Sequence, residues 1–93
     1  MNKINFDCVA LTQALVKCPS VTPYDEGALQ VVEDHLKDLG FECTRLPFSE
    51  DGFNDIDNLF AKIGETGKHL AFAGHTDVVP PGNDRSWKYP PFS

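Results

Sequence analysis

Nowhere does the sequence hold an apolar run of the roughly 20 residues that a membrane-spanning helix needs; its strongly apolar stretches, such as residues 9–16 and 70–73, are far shorter. A bilayer span is therefore not expected. It also lacks the lysine and arginine stripe that tracks a phosphate backbone, since eight basic residues stand against fourteen acidic ones for a formal net charge of -6. Nucleic acid is not expected as a partner. Cysteine is sparse: Cys8, Cys18 and Cys43 are odd in number and form no CxxC pair, which argues against a disulfide framework and a thiolate zinc site alike. The opening MNKINFDCVA has no apolar h-region of a secretory signal, so the expectation is a cytoplasmic protein. Internal repeats and low-complexity segments are absent as well.

What is present is an ordinary globular composition, 41% hydrophobic and 24% charged over 93 residues, enough for one small domain with a modest core. The pattern predicts an α/β chain of two N-terminal helices followed by three strands. Residues 6–17 carry helical spacing with Asn5 as N-cap, and Cys18 ends the helix because a residue before proline is pushed out of the α region. In SVTPYDEG, Thr22 is placed to cap a second helix, Pro23 to occupy its first position, and Asp25 and Glu26 to favour the positive end of its dipole. Leu29, Val32, Leu36 and Leu39 form its apolar stripe, with Gln30, Glu33, Asp34, Lys37 and Asp38 on the wet side. Gly40 closes it as a left-handed residue, and His35 reads as an ordinary, partly exposed helix residue.

Residues 41–48 and 58–63 alternate as strands, the second with Leu59, Ala61 and Ile63 on one face. Between them SEDGFNDID reads as a solvated acidic loop without EF-hand spacing. A short turn at 64–68 sets residues 69–74 as a third strand, antiparallel to the second, whose Leu70, Ala71, Phe72 and Ala73 are apolar on both faces, as a covered central strand would be. Four of the seven prolines crowd into residues 80–91, an extended tail in which Trp87, Tyr89 and Phe92 need something to pack against.

The chemistry concentrates in "LAFAGHTDVVPPG". Residues two apart in an extended chain share a side, so His75 and Asp77 emerge together at the end of the expected third strand, where active sites gather in α/β folds. A metal-binding histidine needs its second ring nitrogen held by a carboxylate or carbonyl, and His-x-Asp provides that locally. With three histidines and nine aspartates, roughly 0.3 such pairs arise by chance, so placement in a tailored Gly74-to-Gly82 corner carries the reading rather than the tripeptide.

"GHTDVVPPG" followed by Trp87 and "PPF" resembles the first metal-site segment of the di-zinc aminoacylase and carboxypeptidase family, which hydrolyses amide bonds in N-acylated amino acids and peptides. Pro80–Pro81, the spacing to Trp87, the "YPPF" ending and the early "PSVTP" narrow the resemblance to a branch acting on a succinylated substrate, with a sibling that deacetylates N-acetylornithine as the alternative. The resemblance makes His75 a ligand of one zinc and Asp77 the catalytic-site carboxylate that orients it. It implies two zinc ions, or cobalt in one position, a small-molecule substrate and a homodimeric intact enzyme. On this reading the chain is the N-terminal portion of a mixed-sheet zinc-hydrolase catalytic domain, inactive alone because the remaining ligands, the general base and the lid domain lie further along. A reading from another class is a non-catalytic α/β interaction module whose contact patch is Trp87, Tyr89 and Phe92.

Overall fold

The computed structural model describes residues 6–93. Its elements run α1 (Cys8–Lys17), α2 (Ala28–Asp38), β1 (Glu42–Arg45) and β2 (Leu59–Lys62), with a single 3-10 turn at Asp84–Ser86. The expected α/β class is realised as two helices and a two-stranded antiparallel sheet.

Asn5 lies outside the described residues, and the cap of α1 is Asp7, whose carboxylate accepts from the backbone N–H of Val9 at 3.0 Å and of Ala10 at 3.1 Å. Two of the four orphan donors of the first turn are thereby satisfied. The other end is as expected, with Cys18 in an extended conformation before Pro19.

Helix α2 starts five residues later than Pro23. Thr22 does not cap it, because left-handed backbone at Glu26 (φ 53) and Gly27 (φ 89) keeps the chain out of the helix until Ala28, while the Thr22 backbone N–H donates to Val78 O at 3.0 Å. Asp25 does the capping instead. Its carboxylate accepts from Leu29 N at 3.2 Å and from Gly27 N at 3.2 Å, while its carbonyl accepts from Ala28 N. At the C-terminus Gly40 (φ 94) donates to Lys37 O and Phe41 N–H donates to Leu36 O, the paired bonds of a Schellman turn. Gly40→Ala should destabilise the folded protein by about 1–2 kcal/mol, the cost of a side chain in left-handed backbone, which urea titration would measure.

β1 and β2 pair in the register Glu42↔Lys62 through Arg45↔Leu59, and an isolated bridge between Phe48 and Ile56 extends the hairpin toward its acidic loop. The helix rests on the sheet face that carries Cys43, Arg45, Leu59 and Ala61. Glu33 departs from its expected place on the wet side of α2: it is only 8% exposed. Arg45 explains it, because its guanidinium donates to Glu33 Oε1 at 2.8 Å, to Asp57 Oδ2 at 2.6 Å and to Gln30 Oε1 at 3.1 Å, drawing the carboxylate onto the sheet.

The third strand is not formed. Residues 69–74 make no ladder with β2 or with anything else described, and Leu70 and Phe72 are 82% and 91% exposed. A strand apolar on both faces is stabilised by neighbours that cover it, and the described residues provide none. The same shortage shows in the dimensions. The radius of gyration is 15.9 Å, against about 12 Å for a compact domain of this length, and Ala28 and Leu29 are the buried hydrophobic residues among those described.

Candidate metal-ligand site

His75 and Asp77 follow this unpaired stretch, yet the backbone around them is held. Val21 and Val78 form a parallel bridge in which Val78 N–H donates to Ser20 O at 2.9 Å and Thr22 N–H to Val78 O at 3.0 Å. The Ser20 hydroxyl adds a bond to Thr76 O at 2.8 Å. The loop between the helices, rather than β2, therefore anchors the segment, and in parallel rather than antiparallel sense. Sequence reading missed Ser20. A small polar residue between a helix-ending proline and a valine was the only local signal.

The anchored segment closes one side of a cleft of ≈ 240 Å³, lined among others by Thr22, Asp25, Asp57, Asn58, His75 and Asp77. Two of its three carboxylates are occupied. Asp25 is bonded to the start of α2, and Asp57 accepts from Arg45 and from Asn58 N at 2.9 Å. The third, Asp77, meets the imidazole: His75 Nδ1 lies 3.0 Å from Asp77 Oδ1 and 2.9 Å from Asp77 O.

Both of those neighbours are acceptors, so the Nδ1 position carries the proton and donates it to them. In the neutral ring the lone pair is then on Nε2, which makes no hydrogen bond to the described residues, and the His75 side chain is 83% exposed. An imidazole with one nitrogen tied to a carboxylate and the other directed outward has the donor chemistry of a single zinc ligand. It fits one coordination position and no more, since no group of three His, Cys, Asp or Glu among the described residues is placed to hold a metal ion.

The other sequence landmarks lie apart from this pair. His35 is exposed on α2 with Nδ1 2.9 Å from Val31 O, an ordinary helix residue as expected. Trp87 donates from its indole nitrogen to Pro81 O at 3.0 Å, closing the loop around the 3-10 turn. That bond gives the proline-to-tryptophan spacing a physical reason. Tyr89 is exposed and Phe92 partly covered.

No family model matches the chain. Curated proteins at 52–59% identity that match it are hydrolases by name, in keeping with an α/β layer that presents a carboxylate-backed histidine at a cleft. They are called succinyl-diaminopimelate desuccinylase. The one from Nitrobacter hamburgensis is 59% identical over 87 residues, covering 94% of this chain and 22% of the relative. Those from Bradyrhizobium sp. strain ORS 278 and Rhodopseudomonas palustris strain BisB5 are each 58% identical over 94% of the chain, covering 23% and 22% of their own lengths. The chain spans about a fifth of the length of the curated relatives it matches.

Proposed function

We propose that this chain contributes His75 as one zinc ligand, and Asp77 as the carboxylate that orients it, to an enzyme hydrolysing N-succinyl-LL-2,6-diaminopimelate to succinate and LL-2,6-diaminopimelate. The observation that carries this reading is the 59% identity over nearly the whole chain to a relative named for that desuccinylation. The local geometry supports it. Asp77 holds the proton on Nδ1 and keeps the lone pair on Nε2. The Asp77 carbonyl, 2.9 Å away, fixes the plane of the ring.

Bound zinc, or cobalt in one of two positions, supplies Lewis acidity toward the scissile amide and a nucleophile at neutral pH. The part of this chain is to bind and to orient. Asp25 and Asp57 are committed to α2 and Arg45, and do not act as the general base. That proton acceptor, with the other ligands, is supplied by residues outside this chain.

The full-length, zinc-loaded protein should turn over the N-succinylated substrate with kcat/KM more than ~100-fold above that for N-acetylornithine, a margin within reach of a site whose polar groups pair with one acyl group. The reverse preference in a spectrophotometric amide-cleavage assay assigns the deacetylating chemistry instead.

A further inference from the structure

We infer that Ser20, 56 residues before Thr76, is a positioning residue for the His75 imidazole; this rests on the metal-ligand reading above. Ser20 is 2% exposed and spends each of its polar groups. Its N–H donates to Cys18 O at 2.7 Å, its carbonyl accepts from Val78 N at 2.9 Å, and its hydroxyl donates to Thr76 O at 2.8 Å.

The last two bonds bracket Asp77. Thr76 C=O belongs to the peptide unit before its Cα, and Val78 N–H to the unit after it. One residue thus restrains both planes that define the backbone angles of Asp77. The second plane includes Asp77 O, one of the two acceptors of the His75 Nδ1–H. The first, through the Cα, aims the Asp77 side chain, which is the other acceptor. Rotation of either unit would carry an acceptor away from the ring and free the imidazole to turn. Among the described residues the stretch before His75 makes no ladder, and Thr22 holds the carbonyl of Val78 one peptide further on, so the two units flanking Asp77 are restrained by Ser20.

Ser20→Ala removes only the hydroxyl, at nearly the same volume, and leaves the backbone bond to Val78. In the full-length protein this variant should bind zinc at the His75 site about 10-fold more weakly, measured in chelator-buffered zinc, with circular dichroism unchanged. In ¹⁵N NMR of the metal-free protein, the His75 ring should pass from a single Nδ1–H tautomer to a mixture. A residue that acts through His75 has no further effect once the ring is gone, so Ser20→Ala combined with His75→Ala should bind zinc no more weakly than His75→Ala alone. Unchanged zinc affinity and tautomer in Ser20→Ala, or the same 10-fold loss in both backgrounds, overturns the assignment to Ser20. If His75→Ala by itself leaves zinc binding intact, the metal-ligand reading falls first and takes this inference with it.

Discussion

His75→Ala in the full-length protein should cost more than ~100-fold in kcat, above the 10- to 100-fold range that follows loss of an outer partner of a metal ligand. The side chain is 83% exposed, and its hydrogen bonds to described residues are those to Asp77, so truncation removes the Nε2 donor without emptying a core. Circular dichroism should be unchanged while one zinc is lost or weakened. Asp77→Asn should be the milder change, about 10- to 100-fold in metal affinity or rate. An asparagine amide oxygen still accepts the Nδ1 proton, and the residue 77 carbonyl is unaltered, so the tautomer survives. What disappears is the negative charge behind the ligating ring. Equal and trivial effects of the two substitutions in a steady-state assay would exclude the metal role.

Arg45→Met should lower the melting temperature by several degrees, more than any removal of a single exposed charge. Arg45 joins Glu33 on α2, Asp57 at the base of β2 and Gln30 through three separate donors, and the methionine would leave the Glu33 carboxylate with Lys37 as its remaining partner, at 2.8 Å. Removing one member of a closely packed charge network strands the others. Asp57 borders the cleft, so zinc affinity or KM should shift along with stability.

The same network gives stability a pH dependence of known sign. Hydrogen bonds from Lys37 and then Arg45 hold the Glu33 carboxyl below its usual value of 4.5, and the Glu33 carboxylate in turn raises Lys37. A depressed carboxylate contributes stability that is fully present above the unfolded-state value and is lost as pH falls through the folded one. Urea midpoints should therefore decline from about pH 4.5 downward. The decline should be shallower in Arg45→Met.

The parts of the fold legible in sequence are those whose causes are local. Cys18 before Pro19 ends α1, and Gly40 reverses the chain after α2, because a neighbouring residue or a residue's own backbone freedom decides each. Strands β1 and β2 were legible from alternation, though not their pairing with each other, and the His75–Asp77 pair was legible from period-two spacing, since both groups lie within reach along the chain. Thr22 and Pro23 misled because the chain there runs beside Val78 and turns left-handed at Glu26 and Gly27 before α2 begins at Ala28. Glu33 misled likewise: helical periodicity placed it in water, and a guanidinium twelve residues away drew it in.

By itself, then, the sequence determined that His75 and Asp77 lie within reach of each other, where α1 and α2 stop and which two stretches alternate as β1 and β2, but paired β2 with residues 69–74 instead of β1. Only the tertiary structure decided that residues 69–74 stay without a ladder, that Asp25 and Asp57 are spoken for, and that the loop at Ser20 holds the His75–Asp77 segment from 56 positions away. The division follows from range. Capping, turn and spacing preferences act within a few residues and leave a local pattern, whereas a hydrogen bond between distant backbones depends on where the whole chain places both partners.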